Sequence, residues 1–148
     1  SGVGNMKSKL GDYYAAIYAL DKVIEINPNY AKAYYSRGNS KGKLKDYYGA
    51  ISDYTKAIEI NPNYAKAYYN RGWNKGKLKD YYGEISDYTK ALEINPNYAQ
   101  AYNNRGIAKT NIGDDKGGCD DFKKAISLGN RGTEKWFRTD GAAWCRNM

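Results

Sequence analysis

The sequence predicts an all-α solenoid built from stacked pairs of helices. The motif Ile-Asn-Pro-Asn-Tyr-Ala at 26–31 returns at 60–65 and at 94–99, so the chain repeats with a period of 34 residues. Within each period, apolar residues recur three and four positions apart, which is the spacing of a buried helix face. No segment has the alternating pattern of a strand. A single helix pair cannot bury its apolar face, whereas stacked pairs share a continuous core.

The repeats divide the chain into units. Residues 1–30 match the end of the first half and the whole second half of a unit, so the chain begins inside a repeat. Full units follow at 31–64 and 65–98, and a more divergent one at 99–132. The predicted repeat array therefore spans 1–132. The first two full units differ at only five positions, namely Ser36/Asn70, Asn39/Trp73, Ser40/Asn74, Ala50/Glu84 and Ile58/Leu92.

Each unit is predicted to contain two helices. In the first full unit these are 31–44 and 47–60, joined by a short turn in which Asp46 is the N-cap of the second helix. The Asn-Pro-Asn sequence around Pro62 ends that second helix. Residues 133–148 are predicted to form a capping helix over the last unit, with Gly141 unfavourable to its second half.

Composition excludes several classes of function. The 148 residues carry a net charge of +8 and contain no His, which excludes imidazole catalysis and His-ligated metals. Cys119 and Cys145 are too few for a four-thiolate site and are expected to be unpaired, Cys119 as a small core residue. No apolar run suggests a membrane span, and no signal peptide is seen. We expect a cytoplasmic protein that is not an enzyme and has no cofactor.

The pattern resembles that of the tetratricopeptide repeat (TPR) family, whose unit is a 34-residue helix–turn–helix. The family prefers an aromatic residue at unit position 4, Gly at 8, small residues at 20 and 27, an aromatic residue at 24 and Pro at 32. The first full unit matches these positions with Tyr34, Gly38, Ala50, Tyr54, Ala57 and Pro62. The amino-acid sequence of the repeats is similar to that of bacterial members of the family. The resemblance implies a right-handed superhelix with the first helices on its concave face.

Charge is unevenly distributed along each unit. Residues 31–45 and 65–79 each contain five basic residues and no acidic one, whereas the second helices are net acidic. The resemblance therefore implies a basic concave groove into which unit positions 6 and 9 project. The predicted groove lining consists of Lys32, Tyr35, Asn39, Lys43, Lys66, Tyr69, Asn70, Trp73, Lys77, Asn103, Asn104, Ile107 and Asn111.

The preferred hypothesis is a protein-interaction scaffold that binds an extended, acidic peptide in this groove. Lysines would attract the peptide, and Trp73 would be its anchor. Asn70 and Asn104 share one unit position and would hold the peptide backbone, because a side-chain amide both donates and accepts hydrogen bonds. The carboxylate clamp of some family members does not fit, because its three basic positions are absent here.

Other interpretations stay open. The basic face could be solvated and without a ligand, the differences between units could reflect drift after duplication, and Trp73 could pack against the next repeat. A single-stranded nucleic acid could stack on Tyr35, Tyr69 and Trp73. A second copy of the chain could associate with the N-terminal end, which is expected to expose Ile17, Tyr18 and Leu20.

Two structural predictions concern charged residues at unusual positions. Arg37, Arg71 and Arg105 occur with Asp53, Asp87 and Asp121 in the same units, whereas Val3 and Ala19 replace both partners in the partial unit. We therefore expect each Arg to contact the Asp of its own unit. Glu84 replaces a small residue where two helices meet, so we expect a local weak point with Lys75 or a Tyr hydroxyl as partner.

Overall fold

The computed structural model describes the backbone of residues 2–148 and the side chains of residues 9–148. All regular structure in this part of the chain is helical, and none of these helices is long and apolar enough to cross a membrane. The predicted all-α class is confirmed. The elements are α1 (Gly2–Ile26), α2 (Ala31–Lys43), α3 (Tyr47–Ile60), α4 (Ala65–Lys77), α5 (Tyr81–Ile94), α6 (Ala99–Asn111), α7 (Asp115–Ser127), α8 (Arg131–Phe137), a 3-10 turn (Asp140–Ala142) and α9 (Ala143–Arg146).

Helices α1 to α7 stack in chain order into a right-handed superhelical solenoid. Successive helices pack against each other along the chain, and α2, α4 and α6 also touch across adjacent units. This arrangement places the first helices of the three full units side by side on one face. The groove predicted from the sequence would lie on that face.

The turn inside each unit is fixed by the backbone and by an Asp cap. Lys45 and Lys79 have φ values of 63° and 61°, and Gly113 takes this position in the third unit. The Asp46 side chain then accepts a hydrogen bond from the Gly49 amide at 3.0 Å, so the predicted N-cap is confirmed.

Small residues and tyrosines build the core, which explains how a chain with few aliphatic residues folds. Ala50 and Ala57 are fully buried, and Tyr54 is nearly so. A Cβ atom at Gly38 would lie 2.9 Å from the Tyr54 ring, so glycine is needed there for the close approach of α2 and α3. The second helix ends at Ile60, as predicted, and the Asn61 side chain accepts a hydrogen bond from the Asn63 amide at 3.2 Å.

The two ends of the chain differ from the repeats. The partial unit, with the boundary 1–30, contains the single 25-residue helix α1, without the helix–turn–helix of a full unit. Ser1 and the Val3 side chain lie outside the described part. At the other end, the single capping helix predicted at 133–148 is replaced by α8, the 3-10 turn and α9.

The prediction that both cysteines are unpaired is wrong. Cys119 and Cys145 form a disulfide that joins α7 to α9, with their Cα atoms 5.4 Å apart. Both are fully buried, and the neighbouring Trp136 packs edge-on against Phe122 with ring centroids 5.0 Å apart. Because disulfides are typical of oxidising compartments, the argument from free thiols for a reducing cytoplasm no longer applies.

Candidate functional site

The position-7 arginines bind the aspartates of their own units, as predicted. Arg37 donates from Nε and Nη2 to Asp53 at 2.9 and 2.7 Å, and Lys41 Nζ lies 3.0 Å from the same carboxylate. Asp53 is 4% exposed, and its hydrogen bonds raise the pKa of Arg37. The buried carboxylate is therefore fully compensated by two cations.

The same cluster recurs in the next two units and also joins each unit to the one before it. The Arg71–Asp87 bonds are 2.9 and 2.8 Å long, and the Arg105–Asp121 bonds are 2.8 and 2.7 Å long. The remaining guanidinium nitrogen, Nη1, donates to a residue of the preceding unit: Arg37 to Asp21, Arg71 to Thr55 and Arg105 to Thr89. These arginines therefore hold the scaffold together and are not available to a ligand.

A second set of contacts between units involves tyrosine and asparagine. The Asn70 amide donates to Tyr35 Oη at 3.2 Å and to Asn39 Oδ1 at 2.9 Å. Asn104 donates to Tyr69 Oη at 2.9 Å in the next pair of units. Both side-chain amide hydrogens of Asn70 are thus engaged within the chain, which leaves only its side-chain oxygen, Oδ1, for a ligand.

Two pockets flank the Trp73 side chain, which is 41% exposed. The first, here called the Asn39 pocket, has a volume of about 370 Å³ and lies between α2, α3 and α4. At its wall the buried Asn74 side chain donates to the backbone carbonyl of Asn70 at 2.7 Å, but the Asn74 Oδ1 has no hydrogen-bond partner in the described chain. The pocket is lined by Asn39, Gly42, Lys43, Tyr54, Tyr69, Asn70, Trp73 and Asn74.

The second pocket, here called the Glu84 pocket, has a volume of about 250 Å³ and lies on the α5 and α6 side of Trp73. Lys77 Nζ lies 4.6 Å from the centroid of the Trp73 ring, at cation–π distance. Burial raises the pKa of the Glu84 carboxyl to about 7, and the nearby Asp80 charge adds to that rise. The pocket is lined by Trp73, Gly76, Lys77, Tyr81, Glu84, Tyr88, Asn104, Ile107 and Asn111.

Of the two partners expected for Glu84, Lys75 is engaged elsewhere. Lys75 lies 3.1 Å from Asp87, in the Arg71 cluster, and so is not paired with Glu84. The other candidate, a Tyr hydroxyl, is that of Tyr88, which lowers the pKa of Glu84 by less than burial raises it. Tyr88 is fully buried, and its hydroxyl has no partner with acceptable hydrogen-bond geometry in the described chain.

A third pocket, of about 490 Å³, lies between α6 and the C-terminal segment. Two of the predicted groove residues, Asn103 and Ile107, line it together with Trp136 and Trp144. Asn103 Oδ1 accepts a hydrogen bond from Thr133 Oγ1 at 2.6 Å, so that side chain also helps to hold the C-terminal segment. This pocket continues the row of cavities along the first helices.

Most of the predicted lining residues face these pockets, and three do not. Lys32, Tyr35 and Lys66 line none of the three, and Tyr35 instead stacks on Tyr64 with centroids 4.9 Å apart. The groove lining predicted from the sequence does not include four pocket residues, namely Tyr54, Asn74, Glu84 and Tyr88. The sequence does indicate two of them, because Ser40/Asn74 and Ala50/Glu84 are among the five differences between the near-identical units.

Comparison with known proteins identifies the repeat. Models described as tetratricopeptide repeat match 31–64, 53–81 and 87–116, and one described as TPR repeat matches 4–45. No curated protein matches the chain in sequence.

Solved structures have the same fold. A crystal structure of MamA is 27% identical with a TM-score of 0.79, covering 90% of this chain and 78% of that one. MamA from Desulfovibrio magneticus RS-1 is 26% identical with a TM-score of 0.75, covering 89% and 72%. The Arabidopsis OM64 TPR domain is 29% identical with a TM-score of 0.68, covering 73% and 93%. The fold is that of a protein-interaction scaffold, and the chain belongs to the tetratricopeptide repeat family.

Proposed function

We propose that this protein is a non-catalytic scaffold that binds an extended, acidic peptide along α2, α4 and α6, with Trp73 as the anchor. The observation that carries the proposal is the partly exposed Trp73 side chain between two pockets, each of which has a buried polar atom without a partner. An exposed Trp at the centre of a site often supplies much of the binding energy.

The free lysines support an acidic ligand. Lys41 and Lys75 are bound to buried aspartates, whereas Lys43 and Lys77 form no ion pair within the described chain and line the two pockets. Lys32 and Lys66 are exposed at the start of the same helices. These four lysines would raise the rate at which an acidic peptide associates and make that rate depend on salt.

The aromatic contacts favour a peptide over a single-stranded nucleic acid. Tyr35 packs on Tyr64, and Tyr69 packs on Tyr98 with ring centroids 4.7 Å apart. Both tyrosines are only partly exposed, whereas Trp73 is exposed, so Trp73 is the better stacking platform of the three proposed. A nucleic-acid binder of this kind would need successive platforms for successive bases.

The test is fluorescence anisotropy with labelled 12-residue probes that stay extended. We expect a peptide of Asp-Ser-Gly repeats to bind, and to bind more weakly at 200 than at 50 mM NaCl. The variant Trp73→Asn, which introduces the residue found at the equivalent position of the preceding unit, should weaken binding about tenfold or more. The proposal would be contradicted if a Lys-Ser-Gly peptide or a 12-nucleotide oligothymidylate bound as tightly as the Asp-Ser-Gly peptide. It would also be contradicted if Trp73→Asn bound the Asp-Ser-Gly peptide with unchanged affinity.

Self-association is a second candidate, favoured by the outer face of α1. Leu10, Tyr14 and Tyr18 follow one another at a spacing of four residues and are 44, 64 and 68% exposed. A second copy could cover this stripe. Sedimentation equilibrium would detect a dimer that the Tyr14→Lys, Tyr18→Lys variant loses, and a wild-type protein that stays monomeric at 100 μM would exclude it.

A further inference from the structure

We propose that the Glu84 pocket binds the cationic end of a Lys or Arg side chain, so that the acidic peptide carries one basic residue beside its Trp73 contact. This inference rests on the proposed function and adds a specificity to it. It is carried by two neighbouring groups that line the same cavity: the buried Glu84 carboxyl, which forms no ion pair within the described chain, and the Tyr88 hydroxyl, which has no hydrogen-bond partner of acceptable geometry there.

The Glu84 carboxylate is buried without a cation. The residue is 91% buried, and its carboxyl oxygens lie 2.6 Å from where a Cβ atom at Gly76 would be, so it lies flat against α4. It forms no ion pair within the described chain, since Lys75 is taken by Asp87 and Lys77 lies over Trp73. A buried carboxylate is costly unless a partner compensates its charge, and a bound cation would provide that compensation.

The Tyr88 hydroxyl lost its partner in the same unit. In the preceding unit, the equivalent Tyr54 hydroxyl donates to Asn39 Oδ1 at 2.6 Å. Trp73 occupies the Asn39 position in this unit, and a ring carbon cannot accept that bond. Ammonium and guanidinium groups carry three and five N–H donors. Such a group could donate to the Glu84 carboxylate and to the free lone pairs of Tyr88 together.

The groups that face Glu84 favour a cation over an anion. From α5 these are Tyr81 and Tyr88, together with Asp80 at the N-cap of that helix, and from α6 they are the neutral side chains of Asn104 and Asn111. Lys77 on α4 is the one cation lining this pocket, and it is exposed to solvent. An anion in this pocket would lose its hydration beside the acidic groups of Glu84 and Asp80. The acidic residues of the peptide, on either side of its bound basic residue, could instead contact the exposed lysines.

The first experiment tests the pocket without any peptide. The Glu84 carboxyl is titrated by ¹³C NMR alone and with n-butylammonium, n-butylguanidinium, n-butanol or n-butyrate. We expect the two cations to lower the pKa of Glu84 from about 7 and to shift the Trp73 indole resonance. Glu84→Ala, which takes the residue of the preceding unit, should abolish the indole shift. Binding of butyrate or butanol alone, or of no probe, would overturn the proposal.

The second experiment places the base in the acidic peptide. Three Asp-Ser-Gly peptides differ only in a central Lys, norleucine or Glu. We expect the Lys peptide to bind about tenfold more tightly than the norleucine peptide at pH 8. That preference should fall at pH 6, where Glu84 is mostly protonated, and should vanish in Glu84→Gln.

The outcomes separate the two proposals. If no acidic peptide binds but n-butylammonium does, the acidic-peptide function fails and the cation pocket stands. If all three peptides bind with equal affinity at pH 8, the groove function stands and the cation pocket is wrong.

Discussion

The units 31–64 and 65–98 are nearly the same helix pair, yet the tyrosine hydroxyl between their helices is hydrogen-bonded in the first and without a partner in the described chain in the second. In the first unit, Asn39 Oδ1 accepts hydrogen bonds from the Tyr54 hydroxyl and from the Asn70 amide of the next unit. In the second, Trp73 and Glu84 replace Asn39 and Ala50, and the Tyr88 hydroxyl is unpaired. Four of the five differences between the units, namely Ser36/Asn70, Asn39/Trp73, Ser40/Asn74 and Ala50/Glu84, affect residues of the groove.

The comparison indicates how a repeat scaffold can acquire a binding site. The clusters that hold the helices, such as Arg37–Asp53 and Arg71–Asp87, are the same in both units. The changed residues leave buried polar atoms without partners, which costs stability that a ligand could restore. Stability and binding are therefore expected to respond to different residues, and substitutions in the two units can separate them.

The largest expected effect comes from breaking what the units share. Removing the carboxylate in Asp87→Ala leaves the Arg71 and Lys75 charges without their partner and should destabilise the protein by about 3–5 kcal/mol. Arg71→Leu should cost a similar amount, and the double variant clearly less than the sum of the two. Urea unfolding followed by circular dichroism measures all three. Strictly additive losses would contradict an energetic role for the pair.

An intermediate effect is expected at Glu84, and its sign depends on pH. Burial raises the pKa of this carboxyl from 4.5 to about 7, so the folded state disfavours the ionised form. The wild type should therefore lose stability, relative to Glu84→Ala, as pH rises from 5 to 8. Because the residue retains some contact with solvent, we expect Glu84→Ala to gain about 2 kcal/mol at pH 8 and little at pH 5. Urea unfolding at the two pH values measures it, and an equal gain at both would contradict burial as the cause.

A smaller effect is expected when the second unit is converted into the first. Trp73→Asn combined with Glu84→Ala recreates the surroundings of Tyr54 around Tyr88, whose hydroxyl can then donate to the new amide. We expect about 1 kcal/mol of stability beyond the Glu84→Ala variant alone, measured by urea unfolding at pH 8. The reverse variant, Asn39→Trp, should lose about as much, because it leaves the Tyr54 hydroxyl unpaired. A double variant less stable than Glu84→Ala would show that Trp73 packs into the scaffold.

Much of the scaffold could be predicted because its signals lie within one unit. The period, the Asp46 cap, the helix end before Pro62 and the Arg37–Asp53 pair all depend on residues of the same helix pair. The family resemblance was specific for the same reason. The chain order of the helices then determined which of them stack.

The features that could not be predicted depend on how separate segments meet. The Asn70–Tyr35 hydrogen bond joins residues 35 apart and requires the offset between units. Cys119 meets Cys145 because the C-terminal segment turns at residues 140–142 and returns to α7. The sequence offers Lys75 two acidic partners, Glu84 and Asp87, and in the structure it pairs with Asp87 in the Arg71 cluster.

Quenching of its fluorescence measures whether Trp73 forms an open and basic binding surface. Trp136→Phe and Trp144→Phe leave Trp73 as the sole source of Trp emission. Unchanged helical circular dichroism is the control for folding. We expect red-shifted emission that acrylamide quenches readily, and that iodide quenches more strongly than caesium because the Lys43 and Lys77 charges attract the anion. Blue-shifted emission that neither acrylamide nor iodide quenches would show that Trp73 is buried and that the proposed groove is not a binding site.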